Sequence, residues 1–187
     1  VLFFHYRGTW GTPGAFSQSS AIEDVAQAIR FLRDPVNAAK YRIDPQSLVV
    51  IGHSLGGFLA GYEGSRDPEI KAVVMISSVN LGMIGADPKE RKARLHRWET
   101  QLHPVRGATA SGLFAETERH RQDWDYVQWA ETLRGRPVLL IAAEDQNHAD
   151  MEALAAAIRQ KNSARLEPKS WILGRLSDLE RLVGRIS

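Results

Sequence analysis

Apolar and polar positions fall in blocks along this chain that predict strands and helices in turn. Residues 1–6 (Val1, Leu2, Phe3, Phe4, His5, Tyr6) are apolar and β-prone and read as a first strand. The run passes into Arg7-Gly8-Thr9-Trp10-Gly11-Thr12-Pro13-Gly14, a loop by its glycines and proline. Ser20 with Glu23 three residues later forms a capping-box pattern. Ile22, Val25, Ile29 and Leu32 then share one face of a helix that stops at Asp34-Pro35. Leu48 to Ile51 reads as a buried strand, and Phe58, Leu59 and Tyr62, with small residues between them, as the helix after it. Residues 71–77 and 137–143 give two more apolar strands, and Met151, Leu154, Ala155 and Ile158 a helical face. Residues 164–167 suggest a short edge strand, and Leu173, Leu176, Leu179 and Leu182 line a last helix. This alternation predicts an α/β fold, a parallel sheet with helices on both faces. Residues 81–136 interrupt the rhythm. Rich in charge and tryptophan and without a convincing strand, they predict a helical cap insertion, leaving 1–80 and 137–187 as the core.

Composition narrows the picture only a little. A chain of 187 residues at 43% hydrophobic can bury one substantial core. No apolar run nears the ~18 residues of a membrane span, and Arg7 and Gly8 end the first run too early for a signal peptide. The lack of cysteine excludes disulfides, thiol catalysis and cysteine metal sites, and fits a cytoplasmic location. A net charge of +2 says little about partners. Because the chain opens directly on a strand, the N-terminal part of a longer protein is expected to precede it.

The chemistry concentrates at Leu48-Val49-Val50-Ile51-Gly52-His53-Ser54-Leu55-Gly56-Gly57. An apolar run ends in Gly-x-Ser-x-Gly, and small residues follow. Strand, sharp turn and helix is the setting in which that serine becomes a nucleophile. Gly52 and Gly56 remove side chains that would collide where the chain reverses. The turn is expected to strain the Ser54 backbone and to present its hydroxyl above the sheet edge. The Leu55 N–H, in the first turn of the helix, is then placed to donate to an oxyanion.

The order of these signals resembles the α/β-hydrolase superfamily over nearly the whole chain. The matching elements are a strand, a Tyr-Arg-Gly-x-Trp-Gly-x-Pro-Gly loop, a helix, the Gly-His-Ser-Leu-Gly-Gly elbow, a strand ending Ser-Ser-Val-Asn, a helical cap, and Val-Leu-Leu-Ile-Ala-Ala-Glu-Asp. The chain is most similar to the intracellular branch of serine esterases and aminopeptidase-like hydrolases. The resemblance implies a partial α/β-hydrolase fold with Ser54 as nucleophile, Asp145 as acid just past the 138–143 strand, and a base histidine near the C-terminus. Two departures matter. The family has about three strands before the one that opens here, and a loop after one of them supplies the second oxyanion N–H. Half an oxyanion hole is therefore expected, and one lost donor costs ~2.7–4 kcal/mol of transition-state stabilisation. The segment where the family places its base reads Glu167-Pro168-Lys169-Ser170-Trp171-Ile172-Leu173-Gly174-Arg175, and no histidine follows His148. Lys169 or a neighbour takes that place, and a lysine is a poor base unless its pKa is strongly lowered.

The remaining candidates each carry a plainer reading. His148 lies three residues after Asp145, whose carboxylate could orient the imidazole toward Ser54; it could equally sit solvated or capping at the start of a helix. Glu144 competes with Asp145 for the acid role, and without an imidazole Asp145 becomes a helix-start partner. His53 is expected to pack and His5 to be structural. His96, His103 and His120 lack metal-ligand spacing, so neither metal nor cofactor is implied. The absence of Gly-x-Gly-x-x-Gly after the first strand argues against dinucleotide binding. Ser78 and Asn80 could line a pocket. The basic run 89–97, broken by Glu90 and with an apolar side at Leu95 and Trp98, reads as the solvated face of a cap helix rather than a nucleic-acid surface. Trp98, Trp124, Tyr126 and Trp129 either shape a pocket or anchor the insertion. Two functional readings follow. One is a serine hydrolase of small esters, amides or short peptides working through acyl-Ser54. The other is a catalytically impaired or truncated hydrolase-fold protein acting as a binding module. Neither nucleic acid nor membrane is an expected partner, and a bare sheet edge invites self-association.

Overall fold

The computed structural model describes residues 1–102, 104–162 and 171–173. Its centre is a four-stranded parallel sheet in the order β1 (Val49–His53), β2 (Ala72–Ile76), β3 (Val138–Ile141) and β4 (Trp171–Leu173). Val50 pairs with Val73 and Val73 with Val138, so these side chains point to one face. That face is covered by α3 (Leu55–Arg66), which follows β1 directly. Glycines let the helix lie close to the sheet. A Cβ on Gly61 would come within 2.9 Å of the Met75 sulfur, and one on Gly64 within 2.2 Å of a Val73 methyl. Val138 and Leu140 join the same core as Met151, Leu154 and Ile158 of α7 (His148–Asn162). On the opposite face Val74, Ile76 and Leu139 are half-buried, while Val49 and Ile51 on the edge strand are 50% and 65% exposed.

Three sequence expectations move. The helix α1 (Gln18–Arg33) begins three residues earlier than the Ser20/Glu23 pattern predicts. Ser17 is the cap: its hydroxyl accepts from the Ser20 N–H, and the Ser20 hydroxyl accepts in return from the Ser17 N–H. The next two orphan N–H groups, of Gln18 and Ser19, donate to the Glu116 carboxylate at 2.8 and 2.9 Å, which makes the earlier start possible. Residues 1–6, expected as a strand, have no ladder among the described residues. A strand needs a neighbour for its backbone groups, and these residues do not pair with the free side of β1. Pro35, expected to end a helix, also opens the next, α2 (Pro35–Tyr41), with Asp34 accepting from the N–H groups of Val36 and Asn37.

The segment between β2 and β3 is helical, with α4 (Pro88–Gln101), α5 (Ala110–Arg119), a short 3-10 turn (Tyr126–Trp129) and α6 (Ala130–Leu133). It is tied down at several points. Thr9 forms an antiparallel bridge with Val105, and Arg106 donates to the Gly8 carbonyl at 2.7 Å. Trp124, Trp129 and Tyr126 are buried; Trp124 ring-packs on Phe58 of α3, Trp129 on Phe58 and Tyr62, and Tyr126 on Trp129. These three aromatics anchor the insertion. Asn80 joins them, donating to Asp125 at 2.8 Å and accepting from the Tyr126 N–H. The Tyr126 hydroxyl donates to the Ser78 carbonyl. Burial, with Asp150, Asp125 and Asp145 nearby, drives its pKa far above the ordinary value, so it stays a donor. Ser78 and Asn80 thus bond the insertion to the sheet. The strand sketched at 164–167 lies outside the described residues, as do Lys169 and Leu176, Leu179 and Leu182 of the expected last helix, whereas Leu173, expected on that helix, stands in β4, its backbone paired in register with Ile141. Among the described residues no helix is long and apolar enough to cross a membrane.

Candidate active site

Ser54 stands between β1 and α3 with φ 54° and ψ −115°, a left-handed conformation that costs a non-glycine residue of order 1–3 kcal/mol. The strain is held by the backbone around it. Its N–H donates to the Ile76 carbonyl at 2.9 Å, and its carbonyl accepts from Gly57, Phe58 and Val79. Serine is a favoured helix cap, and the helix-start serine and threonine of this chain, Ser17 and Thr109, both cap through their hydroxyls. Ser54 makes no such bond. Its unusual ψ turns the side chain away from the N–H groups it would otherwise cap. Ser54, its hydroxyl without a capping bond, and Leu55, the first residue of α3, both line a cleft.

The glycines of the motif do not all contribute alike. A Cβ on Gly52 would lie 1.9 Å from the Gly56 carbonyl oxygen, so no side chain fits there. On Gly56 it would meet only the Tyr6 hydroxyl, at 3.6 Å, an ordinary contact. Gly57 is the second crowded position, 2.8 Å from the Ser78 Cβ. The expectation for Gly56 therefore passes to Gly57, because the turn places Gly57 against the residues that follow β2.

The cleft encloses about 290 Å³ between the sheet end and the insertion. From the core come Phe16, Gln18, Val79, Gln146 and Asn147, and from the insertion Leu81, Arg94, Arg97, Trp98 and Leu102. Trp98 packs on Phe114 with ring centroids 4.8 Å apart, fixing α4 against α5 over the opening. Asn147 is a site residue that the sequence reading missed. It is buried, lines the cleft and donates from its amide to the Ser77 carbonyl at 2.9 Å. An asparagine between the two candidates Asp145 and His148 carries no pattern of its own.

Asp145 and His148 follow β3 but are not among the residues lining the cleft. The exposed Asp145 carboxylate accepts from the Asn147 N–H at 2.8 Å, at the turn into α7. His148 donates from Nδ1 to the Ala143 carbonyl at 2.9 Å, and its Nε2 lies 3.2 Å from the Glu152 carboxylate. Both ring nitrogens thus have partners other than Ser54. Glu144 is exposed. His53, expected to pack, is exposed at the end of the edge strand, because its position alternates with Ile51 on the open face. His5 is exposed beside Trp10, His96 is exposed on α4, and His120 stacks on Trp124 at 4.5 Å. His103 lies outside the described residues.

The Tyr6-Arg7-Gly8 loop is structural in this arrangement. The Arg7 guanidinium grips Asp24 of α1 through Nε at 2.7 Å and Nη2 at 2.6 Å, and the Arg7 N–H donates to the same carboxylate at 2.8 Å. The hydrogen bond to Asp24 raises the already high pKa of Arg7. Desolvation, reinforced by the Asp24 charge, raises that of the Tyr6 phenol.

Comparisons with known proteins bear on the fold. The family model BD-FAE, of α/β-hydrolase type, matches residues 10–79, from the loop through α1, the elbow and β2. No curated protein sequence matches. Among solved structures, an esterase of Pyrococcus furiosus is similar at TM-score 0.55 and 15% identity, over 97% of this chain and 64% of its own. A puromycin hydrolase mutant complexed with PGG is similar at TM-score 0.51 and 18% identity, over 82% of this chain. The chain spans only 20% of that hydrolase. It has, in part, the α/β-hydrolase fold.

Proposed function

We propose that the chain is a serine hydrolase of esters or amides. The observation that carries this reading is Ser54 itself, strained, free of a capping role and opening into a cleft beside the first N–H of α3. In the proposed reaction Ser54 Oγ adds to the substrate carbonyl carbon while its proton passes to a base. The Leu55 N–H donates to the oxyanion. The C–O or C–N bond then breaks, the alcohol or amine leaves with a proton, and water cleaves the acyl-Ser54 ester to release the acid. Asp145 and His148 are the proposed acid and base. For that role His148 must exchange the Glu152 carboxylate for the Ser54 hydroxyl, with Nδ1 presented to Asp145 in place of Ala143. The resemblance to an esterase and a puromycin hydrolase supports ester or amide bonds as the target, with short peptides included.

The engaged ring of His148 also favours a second reading, a hydrolase fold that keeps its cleft for binding and has weak chemistry. Turnover of a p-nitrophenyl ester separates the two. The first reading expects hydrolysis that Ser54→Ala abolishes and His148→Ala lowers by about 10²–10⁴. Activity indifferent to Ser54→Ala contradicts it, and activity lost with Ser54 but indifferent to His148 removes His148 as base.

A further inference from the structure

Two successive carbonyls at the end of β2 hold two residues of the cleft. The Ile76 carbonyl accepts from the Ser54 N–H at 2.9 Å, and the Ser77 carbonyl accepts from the Asn147 amide nitrogen, also at 2.9 Å. Ser77 has φ 41°, a left-handed conformation that a residue with a side chain seldom adopts. Its N–H still donates to the Ile141 carbonyl at 2.8 Å, so the twist falls between a group that continues the ladder and a carbonyl that leaves it for Asn147. Because a carbonyl only accepts, this bond fixes the Asn147 amide with Nδ2 toward Ser77 and Oδ1 turned away from it. The Asn147 N–H donates to Asp145, which holds the same residue by its backbone.

Oδ1 is the remaining polar atom of that side chain. Asn147 is 7% exposed and lines the cleft with Ser54. Among the described residues no donor meets Oδ1, and it is not sealed in: the enclosed side-chain atoms without partners are the Nε atoms of Arg33 and Arg136. Of the other lining amides, the Gln18 side-chain carbonyl accepts from the Thr117 hydroxyl and that of Gln146 from Arg97, while Gln101 is exposed. A nearly buried acceptor whose donor end is tied down makes one demand of a ligand, an N–H.

We propose that Asn147 is a substrate-binding residue whose Oδ1 accepts the N–H of an amide, so that the cleft selects amides over esters of the same shape. An ester presents an oxygen at that place, and Oδ1 then faces a lone pair instead of a donor. The apolar lining from Phe16, Val79, Leu81 and Leu102 takes the flanking hydrocarbon of either ligand. The proposal rests on the reading of Ser54 as nucleophile for turnover, but the preference is measurable as binding without it.

The test is an NMR titration of the Ser54→Ala chain with three neutral ligands, N-benzylbutanamide, benzyl butanoate and N-benzyl-N-methylbutanamide, of which only the first carries an N–H. That ligand is expected to bind about three- to tenfold tighter than either of the others. Adding Asn147→Leu should bring the three within about twofold, since leucine keeps the volume and removes the acceptor. An Asn147 that only braces the turn after β3 would shift all three affinities together and leave their ratios alone. Asn147→Asp keeps an acceptor and should keep the preference, so where the leucine variant fails to melt cooperatively the aspartate variant and the ligand series decide. Equal binding of secondary amide and ester, no binding of any ligand, a preference shared by the N-methyl amide, one that survives Asn147→Leu, or one lost in a folded Asn147→Asp chain overturns the proposal. Turnover by the unsubstituted chain is scored separately. An amide preference without Ser54-dependent turnover leaves the binding claim standing and removes the hydrolase reading.

Discussion

At the scale of single residues, the strained serine depends on one absent side chain. Gly52→Ala would put a methyl 1.9 Å from the Gly56 carbonyl, with both atoms in backbone that cannot yield without opening the elbow. We expect a loss of at least about 1–3 kcal/mol in urea unfolding, the usual range for overpacking. Gly56→Ala meets only the end of Tyr6, at 3.6 Å, and should change stability by less than about 1 kcal/mol. Equal costs at the two positions would contradict the elbow geometry. Much of this was legible beforehand. The strained turn at Ser54, the start of α3 at Leu55 and the crowding at Gly52 follow from the spacing of the motif, because a strand, a one-residue reversal and a helix leave few alternatives. Asn147 and the exposure of His53 were not legible, since both depend on which strand is the edge and which loop closes over it.

At the scale of elements, α1 is fastened to the turn after α3 by the bidentate Arg33–Asp67 pair, at 2.5 and 3.2 Å. Arg136, just before β3, donates to the carbonyls of Asp67 and Ile70. Burial alone would raise the Asp67 pKa, but the Arg33 hydrogen bond, the Glu69 N–H and the charges of Arg33 and Arg136 together lower it below its ordinary 3.8. A carboxyl lowered on folding stabilises the fold above its unfolded pKa. That contribution is lost as pH falls below 3.8 and through the folded value. Asp67→Asn should cost about 1–2 kcal/mol near neutral pH and flatten the decline of stability in acid. An unchanged acid slope would remove this linkage. Strand and helix order could be read from the periodicity, while boundaries shifted where tertiary partners intervened. The Glu116 carboxylate lets α1 begin at Gln18 rather than three residues later, and Glu116 is 98 residues away in sequence, beyond any local pattern.

At the scale of the molecule, the sheet has a bare edge among the described residues. Val49 and Ile51 stand exposed on β1, whose outer side pairs with no described strand. Unpaired backbone beside apolar side chains recruits another strand. The 187-residue chain is therefore expected to self-associate with concentration in sedimentation velocity, and Ile51→Lys on the edge should shift it toward monomer. A monomer at all concentrations would contradict this. The insertion and the core meet at the cleft, and there the account comes to one atom, the Ser54 Oγ. Incubation with a fluorophosphonate, followed by peptide mass spectrometry of the adduct, interrogates that atom directly. The account predicts a single adduct on Ser54 that is lost when the protein is denatured by heat before labelling. A folded chain that takes no label, or takes it on other serines, would contradict the central claim that this elbow still carries a nucleophile.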